Sequence, residues 1–264
     1  MTYLKVAAAG LVFLAVGFVA ARAQGVPGDD QIAAKDGAIT VHPIHHASLM
    51  LTWNGTHVLV DPVPTGANKA DPVAEYKALP TPDVILVTHI HGDHFNAAIL
   101  EAVAGSKTVI VAPHNVADAL PATLKAKVRI VAMSNGDMSA LVSIPDFTVQ
   151  ATAMQNVTVE RAKFHPAGEG NGYIVSLGGK RIYIAGDTEE TPELAKLAHI
   201  DAAFIPMNMP FTETVEAAAK WVKDFKPVVV YPYHFHNADG TLSDLAAFKK
   251  DVGSASDVRL LKWY

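Results

Sequence analysis

Asp83-Val84-Ile85-Leu86-Val87-Thr88-His89-Ile90-His91-Gly92-Asp93-His94 joins an apolar run directly to a knot of polar, ligand-type side chains. Residues 83–88 predict a buried strand. Residues 89–94 then place three imidazoles and a carboxylate within six positions. Histidine and aspartate have poor strand propensity in such a run, and each needs a partner if it is buried. As ligands they make sense. A strand-to-loop exit can splay His89 and His91 toward one ion while Asp93 and His94 turn toward a neighbouring point. Neutral imidazole and carboxylate suit Zn²⁺ and related divalent ions. The chain has no cysteine, so every ligand must come from His, Asp or Glu, and no thiolate serves as nucleophile.

Upstream of this run, residues 48–53 and 56–61 flank Asn54-Gly55, the preferred pair for a two-residue type I′ hairpin turn. Residues 66–82 predict an excursion with a short helix. Downstream, a helix (96–104), a strand (108–112), a helix (114–120) and strands at 128–132 and 147–153 follow. The second half repeats the style without repeating the sequence. Strands at 173–177 and 181–185 turn around Gly178-Gly179, and Thr191-Pro192 reads as a helix start. A strand (202–205), a helix (214–224), a strand (228–231), a helix (242–252) and a last strand (258–263) complete the chain. Hairpins first and strand–helix alternation later predict an α/β (α+β) architecture: a four-layer αββα sandwich of two mixed sheets with helices on the outer faces.

The 264 residues are enough for one full core, and a formal net charge of -5 leaves no electrostatic footprint for nucleic acid. Lys5, the uncharged apolar run 6–20 and Ala21-Arg22-Ala23 read as a secretory signal peptide cleaved after residue 23, leaving Gln24 as the mature start. The rival reading is a single membrane anchor, because the apolar run is near the lower limit for spanning a bilayer. The expected organisation is therefore a signal at 1–23, a flexible segment at 24–38 and one domain at 39–264. The expected location is the periplasm or the exterior, with no membrane anchor after processing.

The string His-x-His-x-Asp-His resembles the metallo-β-lactamase fold superfamily, and the likeness extends from residue 39 to the C-terminus. In that family a further His, a bridging Asp and a final His follow in order, and the matching positions are His165, Asp187 and His234. The resemblance implies one site of His89, His91 and His165 and another of Asp93, His94 and His234, with Asp187 bridging. It implies two divalent ions, zinc first, with manganese or iron admitted by an all-N/O donor set. Ions about 3.5–4 Å apart share a water and lower its pKa toward about 7. Asp93 or Asp187 would orient that nucleophile and pass a proton. The first hairpin and residues 206–212 look like the branch of ascorbate-phosphate lactonase-like and N-acyl-phosphatidylethanolamine phospholipase D-like proteins. The implied activity is hydrolysis of a small-molecule ester, lactone or phosphodiester. The alternatives are β-lactam hydrolysis and a non-catalytic metal-binding or sensing role.

Three further residues stand close enough in the sequence to matter. Asp61 closes the first hairpin and is either a carboxylate that orients a ligand imidazole or a turn residue before Pro62. His46 and His236 are candidate substrate contacts. His42, His57, His114 and His199 read as ordinary histidines, and the Thr212 hydroxyl as either a residue at the mouth of the site or, the favoured reading, a cap of the next helix.

Overall fold

The computed structural model describes residues 28–66, 71–140 and 144–264. The signal-or-anchor segment at 1–23 lies outside the described residues. Two seven-stranded sheets face each other, and in each the strands lie side by side in chain order. The first holds β1 (Asp30–Ala34), β2 (Gly37–His45), β3 (Ser48–Trp53), β4 (Thr56–Val60), β5 (Val84–Leu86), β6 (Val109–Ala112) and β7 (Arg129–Ala132). The second holds β8 (Met138–Ala140), β9 (Thr148–Met154), β10 (Gly170–Leu177), β11 (Lys180–Ile184), β12 (Ala202–Pro206), β13 (Val229–Tyr233) and β14 (Asp257–Val258). Each sheet starts antiparallel and becomes parallel from its fourth strand onward. The turn from β3 to β4 is the expected one, with φ of +49° at Asn54 and +78° at Gly55.

The parallel strands need crossovers, and short helices supply them: α1 (Ala74–Lys77), α2 (Ala97–Val103), α3 (His114–Ala119) and α4 (Ala122–Lys127) in the first half. The period of two along each strand sorts side chains between layers. Val58, Val60, Val84, Leu86, Val109 and Val111 join one core with Val149, Tyr173 and Val175 of the facing sheet. The intervening Leu59, Ile85, Ile110 and Ala112 join a second core with Ile99, Leu100, Val116, Leu120 and Leu124 from the helices. On the other outer face, α5 (Val215–Phe225) and α6 (Leu245–Val252) bury Trp221, Phe225 and Phe248. The four layers follow from this alternation.

Several local expectations change. The segment expected to be flexible carries β1, which pairs with β2 from Asp30 to Ala34, so ordered structure begins well before Ile39. Thr191 accepts from the Leu194 amide at 3.3 Å, but only a 3-10 turn (Leu194–Lys196) forms before Leu197 returns to extended backbone. The last helix starts later than expected, because Leu242 bridges to His236 and the Asp244 carboxylate caps the amides of Ala246 and Ala247. The last strand is only Asp257–Val258, and the chain then leaves the sheet to bury Trp263. Neither β8 nor α4 was expected. Capping of α5 falls to Thr214, which accepts from the Ala217 amide at 3.2 Å, whereas the Thr212 hydroxyl bonds to Asn208.

Two predictions follow from this packing. A Cβ on Gly178 would lie 2.7 Å from Trp53 Nε1 at a φ of +57°, while one on Gly179 would meet only Lys35 Cβ at 3.7 Å. The Trp53 indole is itself pinned to the Lys35 carbonyl at 2.9 Å. Gly178→Ala should therefore cost about 1–3 kcal/mol more than Gly179→Ala, read as the difference in urea midpoints. The second concerns Glu213, buried just ahead of α5, where it accepts from the Glu190 amide. Burial, reinforced by the neighbouring Glu189 and Glu190 charges, pushes its carboxyl from 4.5 up to about 7. Its contribution to stability is fully present below pH 4.5 and is lost as pH rises through about 7. Glu213→Gln should raise Tm relative to the parent at pH 8 but not at pH 5.

Candidate metal centre

The carboxyl ends of the parallel strands converge on one edge of the sandwich, the usual place for a site in such sheets. From β5 the chain delivers Thr88, His89, His91, Asp93 and His94. From β11 it delivers Asp187, and from β13 His234. His165 comes from the loop ahead of β10, and His46 from the tight turn between β2 and β3. Gly186 makes the turn that swings Asp187 inward. Its φ is +68°, a Cβ there would lie 2.8 Å from Met154 Sδ, and its amide donates to the Tyr233 hydroxyl at 2.8 Å. His46, Asp61 and His234 adopt φ of +58°, +41° and +46°. Such strain costs about 1–3 kcal/mol per residue and collects at functional sites.

All seven residues expected as ligands come together. The ligand-type atoms of His89, His91 and His165 lie within 4.8 Å of one another, as do those of Asp93, His94 and His234 together with His46. Asp187 stands between the groups. Its Oδ1 is 3.3 Å from His94 Nε2 and 3.4 Å from His234 Nε2, whereas its Oδ2 is 3.4 Å from His165 Nε2. His89 also reaches the set formed by His94 and Asp187.

The hydrogen bonds behind these residues decide which ring nitrogen faces inward. Asp61 is fully buried, and its carboxylate accepts from the Thr88 amide and hydroxyl, both at 2.7 Å, and from His94 Nδ1 at 2.8 Å. That leaves His94 Nε2 directed at Asp187. The Asp61 carboxylate is thus a ligand-orienting partner in geometry, beyond its place in the turn. His165 Nδ1 donates to the Phe211 carbonyl at 3.1 Å, with Asn156 alongside, so its Nε2 also faces the centre. His46 bonds through Nε2 to Asp93 at 3.1 Å and through Nδ1 to the Tyr264 hydroxyl at 3.1 Å. His236 stays exposed at the rim, with its ring 5.7 Å from that of Tyr264, and joins none of the metal-capable groups.

A cation fits this donor set. His94 Nε2, Asp187 Oδ1 and both ring nitrogens of His234 are buried and make no hydrogen bond, a costly state for polar atoms aimed at one point. The electrostatics agree. His94, His165 and His234 hold the Asp187 carboxyl well below the usual carboxylate range despite its burial, and Asp93 is lowered as well by His234 and His46. Burial, with the nearby imidazoles, pulls His89 and His165 down, which keeps them neutral as ligands must be. Burial also lowers His46, to about 4. His94 runs the other way: burial opposes its protonation, but Asp187 and Asp61 outweigh it. Two buried carboxylates pulling that hard call for positive charge nearby.

A cavity of about 240 Å³ opens onto the centre, lined by His91, Asp93, Phe164, His165, Asp187, Asn208 and Phe211. A larger open cleft of about 650 Å³, which includes His114, Asn135 and Glu169, contains none of the seven candidate ligands. Of the two, the smaller cavity is the one lined by candidate ligands. His42 pairs with Asp29 and His57 with Thr52, away from the centre, as ordinary histidines do.

A family profile described as the beta-lactamase superfamily domain matches residues 40–234, from β2 to the last candidate ligand. The chain belongs to the metallo-β-lactamase superfamily. A UPF0173 metal-dependent hydrolase of Pyrococcus abyssi is 33% identical over 78% of this chain and 88% of its own length. One from Thermococcus kodakarensis is 31% identical over 85% of this chain and 96% of its own. Among solved structures, a protein from Parabacteroides distasonis superposes with a TM-score of 0.77 at 36% identity, covering 89% of this chain and 99% of that one. Igni18, a metallo hydrolase from Ignicoccus hospitalis, shares the fold at a TM-score of 0.68 and 21% identity, covering 85% and 95%. The chain is thus a metal-dependent hydrolase of this superfamily.

Asp61→Ala removes the acceptor that orients His94 and should weaken metal binding about 10- to 100-fold in a chelator competition. His57→Ala, on the far end of β4, should leave it unchanged.

Proposed function

We propose that the protein is an exported, dinuclear hydrolase of a small ester, lactone or phosphodiester, with zinc as the first candidate metal. The observation that carries the dinuclear reading is the placement of the two Asp187 oxygens, one toward His94 and His234 and the other toward His165. His89, His91 and His165 would hold one ion and Asp93, His94 and His234 the other, with Asp187 shared. When bound, the ions supply Lewis acidity and an acidified water. Asp93 is half exposed and lines the smaller cavity, with His46 at its Oδ2, so it is placed to orient that water and take its proton. Asp61 and the Phe211 carbonyl hold two imidazoles in the correct tautomer. Export rests on the signal-like run at 1–23, and intact mass of secreted material starting at Gln24 tests it.

The metal assignment makes a graded expectation. His89→Ala should lose mainly the ion shared with His91 and His165, and His234→Ala the other, while Asp187→Ala should lose both. All three should fall in kcat by orders of magnitude, and chelation of the parent should abolish turnover until metal is restored. Elemental analysis beside kinetics reads this out. An Asp187→Ala protein with two ions and parental turnover would overturn it.

A further inference from the structure

The loop after β12 holds an asparagine whose bonding is half complete. Asn208 is 2% exposed, and its backbone N–H donates to Thr212 Oγ1 at 3.0 Å. Because that hydroxyl accepts there, its own proton goes to Asn208 Oδ1, at 2.5 Å. The Asn208 carbonyl is taken up by the amides of Phe211 and Thr212, both at 2.9 Å. Only Nδ2 is left without a partner among the described residues, and Asn208 lines the cavity that His91, Asp93, His165 and Asp187 share. An amide fixed through its oxygen presents nothing but N–H donors.

Apart from the candidate ligands and Glu169, the walls around it are apolar. Phe164 and Phe211 meet edge to face at 5.1 Å between ring centroids, and Ile90, Met154 and Pro166 continue the wall beside His89 and His91. Neither lining includes a Lys or Arg. The Lys163 ammonium lies 5.0 Å from the centroid of the Phe164 ring, and Arg161 is tied to Glu189. Bound metal ions would supply part of the positive charge that phosphoryl oxygens need, and no Lys or Arg of these linings adds to it, whereas acyl transfer needs a donor at the one oxygen where charge develops.

Resting on the hydrolase reading above, we infer that the substrate is a neutral carboxylic ester or lactone with an aromatic or bulky apolar acyl group, and that Asn208 Nδ2 donates to its carbonyl oxygen. Water oxygen adds to the acyl carbon, and the bond from that carbon to the leaving oxygen breaks. The leaving oxygen keeps the electron pair and receives the proton given up by the water. Asn208 is a catalytic residue in this scheme, because charge on the acyl oxygen strengthens its hydrogen bond. Thr212 is a positioning residue that acts through it. Phe164 and Phe211 select the acyl group.

The test uses the metal-loaded protein with 4-nitrophenyl phenylacetate, 4-nitrophenyl acetate and bis(4-nitrophenyl) phosphate. The phenylacetate should exceed the acetate at least about 10-fold in kcat/KM, the scale of apolar pocket discrimination, and the anionic diester should be the poorest. Asn208→Ala should lower kcat for both esters about 10²- to 10³-fold with little change in KM and unchanged metal content. Thr212→Val should follow in part, with recovery in Thr212→Ser. Phe164→Ala and Phe211→Ala should shrink the phenylacetate preference. A second readout is the Asn208 side-chain amide signal in ¹⁵N NMR, which should shift on adding phenylacetamide. Parental kcat in a folded, metal-replete Asn208→Ala protein overturns the inference, as does preference for the diester. If neither ester nor the diester is turned over, the proposed reading as an ester, lactone or phosphodiester hydrolase itself fails. The NMR arm then still decides the inference, and an unmoved Asn208 signal overturns it.

Discussion

A carboxylate held in its charged form inside the protein is the constraint around which this structure is arranged. Asp187 is 3% exposed, yet three imidazoles keep it ionised. Burying a charge costs several kcal/mol unless opposite charge or strong hydrogen bonds answer it, and its Oδ1 has no hydrogen bond at all. The imidazoles that surround it come from both sheets, His94 after β5 and His234 after β13, with His165 from the loop before β10. The two halves of the sandwich therefore meet chemically at this point, as well as through their shared apolar core. A bound metal cation would resolve what the side chains alone cannot.

The fold makes that meeting possible because each sheet turns parallel at its fourth strand. Parallel strands send all their carboxyl ends to one edge, so residues far apart in the chain converge without long loops. The layers behind are ordinary packing of Val, Leu and Ile. What is unusual is local: left-handed backbone at His46, Asp61 and His234, and Gly186 pressed against Met154. Strain of that kind persists only where the surroundings hold it in place. Here the continuous strands on either side and the Asp61 network do so.

The metal cradle was legible because its chemistry is concentrated. His89 to His94 form an improbable strand exit, and Asp187 and His234 each follow an apolar run that predicts a strand. Asp61 was ambiguous for a physical reason. A carboxylate before Pro62 looks the same whether it closes a turn or holds an imidazole, and only the fold brings His94 to it. Asn156 and Tyr264 left no signal at all. Each acts through a contact with a residue distant in sequence, Asn156 with Phe211 and Tyr264 with His46. The missed β1 has a similar cause: Asp30-Gln31-Ile32-Ala33-Ala34 has one strong apolar residue, and its pairing with β2 supplies what propensity does not. The overextended last strand shows the converse, since apolar residues at 258–263 serve burial of Trp263 more than sheet pairing.

The loop from Met207 to Thr214 shows why cradle and wall are not independent modules. Its Phe211 carbonyl holds the tautomer of His165 and accepts from Asn156, while the Phe211 ring forms the wall with Phe164. The next residue, Thr212, fixes the Asn208 side-chain amide, and Thr214 caps α5. A shift of this loop would therefore move a candidate metal ligand, a hydrogen-bond donor and an apolar surface together. The Phe164 and Phe211 rings could change without disturbing this arrangement, whereas the backbone of Phe211 could not move, because its carbonyl holds His165.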